Sequence, residues 1–214
     1  MKTVLIGASG YVGSFILKEA LNRGHKVTAI VRHPEKITLQ HPNLTVQKGD
    51  VRDEAEVAKL VAGHNAVISA YNPGWDNADI YNIQVAAYRT IMAGVKKSGV
   101  KRLLVVGGAG SLETSPGKQV VDSPDFPAEY KGGALAGRDV LNIFRGEKEL
   151  EWSFLSPSML LEPGERTGKF RLGADRVLIS ETGESEISCE DFAMAMIDEL
   201  EVPKYLRKRF TVGY

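Results

Sequence analysis

The sequence predicts an α/β fold, a doubly wound parallel sheet with a small C-terminal region of hairpin, helix and strand. Three observations predict it. Short apolar runs rich in β-branched residues recur along the chain, amphipathic stretches separate them, and the first such junction carries three glycines in "GASGYVG".

The first run, "TVLIG", leads into a stretch from Gly10 to Arg23 that places Val12, Ile16 and Ala20 on one face. It stops at Gly24, as a helix with a glycine after its last turn does. "KVTAIV" and "LTVQKG" follow as the second and third strands. Asp53 caps a helix running to Ala62, "NAVISA" is the fourth strand, and Ile83, Ala87, Ile91 and Val95 mark the buried side of a helix over 80–98. "RLLVVGG" and "WSFLS" complete six strands. Because strand and helix alternate, right-handed crossovers make the strands parallel.

Between the fifth and sixth strands, "GSLETSPGKQVVDSPDFPAEYKGG" is the least regular segment, with Pro116, Pro124 and Pro127. A loop this long reads as a lid or a substrate-contacting segment, or as an insertion without a role. After Ser156 the rhythm changes. "GKFRLGADRVLIS" reads as a hairpin around Gly173, Ala174 and Asp175, and Ser188 with Asp191 reads as a helix-capping arrangement. Phe192, Ala193, Met196, Ile197 and Leu200 give the last helix its buried side, and "RFTVGY" closes the chain as a strand. No linker rich in Pro, Gly or Ser divides the chain, so residues 1–214 are expected to form one domain, with 158–214 on the substrate side.

Lys plus Arg number 27 and Asp plus Glu 27, so no net field draws the chain to nucleic acid or an acidic membrane. The densest basic run, Lys204 with Arg207, Lys208 and Arg209, reads as a solvated face. One cysteine, Cys189, excludes an internal disulfide and a multi-thiolate metal site, and reads as a packing residue. His25, His33, His41 and His64 lack metal-ligand spacing, so no metal is expected. The apolar start is too short for a signal peptide and no run is long enough to span a bilayer, which makes the cytoplasm the expected location and a small molecule the expected partner.

The glycines have a chemical reading. A helix N-terminus offers unpaired amides and the positive end of its dipole, which together hold a diphosphate. In that reading Gly7 permits the tight turn out of the strand, Gly10 lets the phosphates approach the backbone, and Gly13 lets the helix pack on the sheet. Ala8, Ser9, Tyr11 and Val12 complete the loop around a dinucleotide. The G-x-x-G-x-x-G spacing is weak alone and strong between a buried strand and an amphipathic helix, where it indicates a Rossmann-type domain. Glycines used only for the turn and its packing are the plain alternative. About twenty residues on, where a carboxylate would select NAD, stands Arg32. An arginine there can pair with a 2′-phosphate, so NADP is the expected cofactor, with NAD the alternative. An ordinary solvated charge is the other reading of Arg32.

"GASGYVG", "VRHPEK", "KGDV", "VISA", "VVGGAGS", "WSFLSPS" and "ISCEDFAMAMIDELE", in this order, resemble the atypical short-chain dehydrogenase/reductases. The nearest groups are the NAD(P)-binding or NAD-dependent epimerase/dehydratase-like proteins, with relatives of flavin/biliverdin-IXβ reductase and NmrA-like regulators. The resemblance implies that Asp50 and Val51 meet the adenine and that Ser69, Ala70 and Tyr71 run beside the adenosine ribose and phosphates. It further implies that Gly107 and Gly108 leave room for the nicotinamide ribose and that Pro157 borders the nicotinamide. The family's usual catalytic set is a serine past the fifth strand, then a tyrosine with a lysine four residues later.

Here Ser111 and Tyr130 match the serine and tyrosine, but Lys131 directly follows Tyr130 and position 134 is Ala134. Adjacent helical residues diverge by about 100°, so Lys131 does not share the face of Tyr130. Hydride transfer to a keto group benefits from a positioned proton donor, whereas a flavin or quinone delocalises the charge it gains. The departure therefore favours an NADPH-dependent reductase of a conjugated acceptor. Ser111 would orient that acceptor, and Tyr130, Tyr71 and Trp75 would line its pocket or merely pack locally. A non-catalytic NADP(H) sensor is the second reading. A nucleotide-sugar epimerase or dehydratase is the third, disfavoured by the short region after Ser158.

Overall fold

Each of the six apolar runs becomes a strand in the computed structural model, which describes residues 1–214. The elements are β1 (Lys2–Ile6), α1 (Tyr11–Asn22), β2 (Lys26–Val31), β3 (Leu44–Lys48), α2 (Glu54–Val61), β4 (Ala66–Ser69), α3 (Ile80–Ser98) and β5 (Arg102–Val106). They continue with β6 (Glu113–Ser115), β7 (Lys118–Gln119), α4 (Ala128–Arg145), β8 (Glu151–Ser156), β9 (Leu160–Glu162), β10 (Arg171–Gly173), β11 (Glu186–Ser188), α5 (Cys189–Glu201) and β12 (Lys208–Gly213). The central sheet has eight strands in the order β10-β12-β8-β5-β4-β1-β2-β3, all parallel except the edge strand β10. The order reverses between β1 and β4, and the crevice above such a switch point is where open α/β sheets bind ligands.

Alternation along the strands splits the apolar side chains between two cores. Leu5, Ala29, Ile68, Leu104 and Phe210 face α1 and α5, joining Ile16, Ala20, Phe192 and Met196. Val4, Ile6, Val67, Leu103, Val105 and Phe154 face α2, α3 and α4, joining Val57, Tyr88, Ile91 and Phe144. A sheet covered on both faces needs strands that are apolar throughout, which is what the runs supply. Asp53 caps α2 as expected, its carboxylate accepting from the Ala55 and Glu56 amides at 2.8 and 3.0 Å.

Three expectations are corrected, and a fourth, the Ser188 cap, is met without a reciprocal bond. Residues 171–180 are not a hairpin: β10 pairs antiparallel with the distant β12, while the chain beyond it bonds to Glu113, with Glu113 N on Asp175 O and Val177 N on Glu113 O. The irregular segment 110–133 is largely ordered, because β6 and β7 form a small antiparallel pair and α4 already begins at Ala128. Ser188 does cap α5, accepting from Asp191 N at 3.0 Å, but Asp191 does not reciprocate; its buried carboxylate accepts from Gly168 N and the Tyr214 hydroxyl, each at 2.9 Å. The basic run is not uniformly solvated. Arg209 is buried on β12, because its position in register with Phe154 turns it toward the sheet's covered face.

Buried charge also ties α1 to the C-terminal region. Glu19, nearly inaccessible, accepts from Arg166 and Arg23, with N···O distances of 2.8 and 2.7 Å. The Arg166 guanidinium, and then that of Arg23, hold its carboxyl below the ordinary glutamate range against the opposing effect of burial. A carboxyl whose pKa is depressed on folding stabilises the fold above its unfolded pKa and loses that contribution as pH falls through the folded value. Stability is therefore expected to fall as pH drops below about 4.5, and Glu19→Gln to flatten that limb in urea titrations run across pH.

Candidate functional site

The turn after β1 supplies the first part of the site. Gly7 has φ +80°, and a Cβ there would meet Ala70 O at 2.6 Å, so only glycine fits between the ends of β1 and β4. A Cβ at Gly13 would lie 2.1 Å from Gly7 O, which is how closely α1 rides on the turn. Both glycines are thus demanded by the protein itself. Gly10 is different: it is exposed, its φ is −80°, and a Cβ would meet only Gly7 O, at 3.2 Å. No side chain caps α1, and the first helix amide bonded to the turn is that of Ser14, on Gly10 O. The N-terminus of α1 therefore opens into the crevice, flanked by exposed Ser9 and Tyr11, half-buried Val12 and buried Ala8.

The second part is the corner where β2, β3 and β4 end. Arg32 is exposed just past Val31. Asp50 is gripped by Arg52, a residue the sequence reading passed over, with Nε at 2.9 and 3.0 Å from the two carboxylate oxygens and Nη2 at 2.5 Å. The Arg52 guanidinium holds the Asp50 carboxyl below its ordinary range. Half-buried Tyr71 closes the corner, its phenol pushed up by burial. Val51 and Ser69 turn inward: Val51 packs with Ile30 and Val57, and Ser69 is fully buried with its hydroxyl near Tyr88 and the Tyr71 amide. Ser69 has no side-chain atom to offer a ligand. Ala70 is half-buried and contributes the backbone that fixes Gly7.

The third part lies past β5 and β8. Gly107 lacks a side chain because Phe154 occupies the place, a Cβ there falling 2.1 Å from Cε1; the room it makes is for the core rather than for a ligand. Gly108 has nothing within 4 Å of where a Cβ would be. Pro157 is buried at the end of β8. Ser111 is only 1 % exposed, and its Oγ lies 3.5 Å from Nη1 of buried Arg209, which also reaches Ser156 Oγ at 3.5 Å. Arg209 is anchored by Asp175, Nε to Oδ1 at 2.9 Å, and burial pulls its pKa down while that carboxylate pulls it up. Ser111 therefore faces a buried cation and not the cleft, and the structure does not pair it with Tyr130.

Tyr130 lies 48 % exposed on the first turn of α4, its ring 5.5 Å from that of Trp75 and nearly perpendicular to it. Trp75, in the loop after β4, rests on Gly133, where a Cβ would meet its Cζ3 at 2.4 Å. Ala134 packs against Gly110, a Cβ at 110 lying 2.8 Å from its own Cβ, so the position that a lysine would take is filled by close helix-to-turn packing. Lys131 is exposed beside Tyr130 in sequence and on a different side of the helix. Cys189 is buried at the start of α5, where burial raises its thiol pKa.

Comparison with known proteins agrees with this fold. The sequence model of the NAD(P)H-binding family matches residues 7–203. Three solved structures are similar over the whole chain. A candidate epimerase from Bacteroides thetaiotaomicron is 51% identical, covering 100% of this chain and 96% of its own, with TM-score 0.94. A candidate exported protein from Burkholderia pseudomallei is 43% identical, covering 100% of both chains, with TM-score 0.90. A candidate NADH-flavin reductase from Streptococcus pneumoniae is 33% identical, covering 100% of this chain and 99% of its own, with TM-score 0.85. No helix of this chain is long and apolar enough to cross a membrane.

Proposed function

Since the chain belongs to the NAD(P)H-binding family, we propose that it is a reductase that takes NADPH and passes hydride to a small flat conjugated acceptor such as a flavin or a quinone. The observation that carries the reading is Gly10. The crowding there is milder than at Gly7 and Gly13, a Cβ pressing only on Gly7 O at 3.2 Å with no positive φ to accommodate, and Gly10 borders the uncapped, exposed N-terminus of α1 at the sheet's switch point. A diphosphate resting on that terminus explains it.

In this reading Ala8, Ser9, Tyr11 and Val12 frame the diphosphate, with Gly7 and Gly13 shaping the loop. Arg32 meets the 2′-phosphate, Asp50 and the backbone of Val51 border the adenine, and Ala70 and Tyr71 border the adenosine. Gly108 and Pro157 flank the nicotinamide, which when bound supplies the hydride. Trp75, in the loop after β4, and Tyr130, on the first turn of α4, are both exposed and pack edge to face, so that one ring props the other and leaves an aromatic face on which a conjugated ring stacks. Ser111, turned toward Arg209, acts by holding the turn of residues 109–111 that follows Gly108. A conjugated acceptor fits because Ala134 leaves no lysine on the face of Tyr130 to assist proton donation, and such an acceptor draws its proton from water. The name of the Streptococcus relative points to the same acceptor, a flavin, and names NADH as its donor.

A non-catalytic NADP(H) sensor is the second reading, favoured by the same filled lysine position and by the inward serine. Nucleotide-sugar chemistry, suggested by the name of the Bacteroides relative, ranks third. After β8 the chain is spent on β10 and β12, which extend the sheet, and on α5, which packs on α1, leaving little to enclose a sugar. We assign the protein to the cytoplasm on the sequence reading alone, although the Burkholderia relative carries the name of an exported protein.

Purified protein is expected to consume NADPH when offered free flavin or a quinone. Trp75→Ala should raise the KM for the acceptor about three- to tenfold with the KM for NADPH unchanged, in steady-state assays. NADPH binding without turnover across flavins, quinones and sugar nucleotides would favour the sensor instead.

A further inference from the structure

The ends of β2 and β3 are tied by the Gly49 amide, which donates to Val31 O at 3.1 Å. Arg32, next after Val31, and Asp50, next after Gly49, therefore leave the sheet side by side. Arg52 then doubles back. Its amide donates to Asp50 Oδ1 at 3.0 Å, and its guanidinium lies flat across both carboxylate oxygens. Both side chains are substantially solvent-accessible, at 65 % and 36 %. The charge of Arg32 reaches the same carboxyl, and both arginines act on the Tyr71 phenol, so the two cations converge on one corner. Two guanidinium groups against one carboxylate leave a positive charge over.

A carboxylate and a phosphate accept the same two-pronged donation from arginine, and the phosphate carries more charge and one more oxygen. An exposed ion pair is weak and opens at little cost. We infer that Arg52 is the second arm of a clamp for a phosphomonoester, parked on Asp50 until the 2′-phosphate of the dinucleotide takes it over, with Arg32 as the first arm. The inference rests on the proposed NADPH reading and deepens it, by naming the residue that selects NADP over NAD. A glutamine at 52 keeps the chain length and removes the fork, and the site's exposure makes the change harmless to folding.

The test is calorimetric titration of wild type, Arg52→Gln and Asp50→Asn with NADPH, NADH, adenosine 2′,5′-bisphosphate and ADP. Arg52→Gln is expected to weaken NADPH and the bisphosphate about ten- to a hundredfold while leaving NADH and ADP within about twofold. Asp50→Asn, which frees the arm and also alters the adenine's border, is read by the ratio of bisphosphate to ADP affinity, which is expected to stay at or above the wild-type ratio; a fall in that ratio would count against the clamp. Equal weakening of NADPH and NADH by Arg52→Gln, or none of either, would overturn the inference while leaving the reductase reading in place. Wild type that prefers NADH would overturn the clamp and the NADP choice together, and wild type that binds neither dinucleotide would overturn the function itself.

Discussion

Gly10→Val is expected to fold and to lose NADPH, whereas Gly13→Ala is expected to lose the fold's stability first. The contrast follows from what each missing side chain would touch. At Gly10 the backbone is extended, with φ −80° and ψ 170°, a conformation valine adopts readily, and the nearest atom to a new Cβ is Gly7 O at 3.2 Å. The cost to stability is that of a poor N-cap residue and of easing the contact with Gly7 O, together about 1–2 kcal/mol. The branched side chain would nonetheless project over the uncapped α1 amides and hold a diphosphate away from them, reducing NADPH affinity at least about tenfold, or ~1.4 kcal/mol. At Gly13 the new Cβ would fall 2.1 Å from Gly7 O, so α1 must move off the turn. Such overpacking costs about 1–3 kcal/mol or more. Urea denaturation and calorimetry on the two variants separate the effects. Equal affinity of wild type and Gly10→Val would remove the ligand explanation for that glycine.

Glu199→Ala is expected to cause the largest loss of stability away from the site, about 3–5 kcal/mol. Arg102, first in β5, and Glu199 on α5 pair at 2.9 Å with side chains 7% and 2% exposed. The carboxylate also accepts from Ser153 Oγ at 2.8 Å and from the Lys204 and Tyr205 amides at 2.9 and 3.0 Å, so it organises the turn between α5 and β12. Burial pulls the Arg102 guanidinium below its ordinary pKa and Glu199 opposes that pull. Removing the carboxylate strands a buried cation and several amides at once. Native stabilities are about 5–15 kcal/mol, so the variant would sit near the limit of folding. The pair lies at the amino ends of β5 and β8, opposite the crevice. NADPH affinity of the folded fraction is therefore expected to be unchanged, and a loss below about 1 kcal/mol in urea titrations would show the pair to be no stronger than a surface one.

What could be read from the sequence divides along local and distant interactions. The parallel strands, α1 with its glycine turn, the Asp53 cap and the buried stripe of α5 each depend on patterns within a few residues, and those patterns are present in the chain. The run 171–180 misleads because two extended pieces around Gly173 look alike whether they pair with each other or, as here, with β12 and Glu113. Arg209 misleads for a similar reason: three basic neighbours suggest solvent, and only its register with Phe154, set by β12 pairing to β8, turns it inward toward Asp175. Gly107 reads as space for a ligand until Phe154 is found in that space, and Ser69 reads as a ligand contact until its hydroxyl is found facing the core. Arg52 was open to notice, since it stands two residues past Asp50, but its grip on that carboxylate depends on a turn that no periodicity announces.

The central claim is that the open N-terminus of α1 receives a diphosphate. A crystal structure of the protein grown with millimolar NADPH tests it most directly. Diphosphate oxygens within hydrogen-bond reach of the amides at the start of α1, with the backbone of Gly10 against them, are the predicted result. A dinucleotide whose diphosphate lies elsewhere on the protein, or a crevice that stays empty at that concentration, would contradict the account.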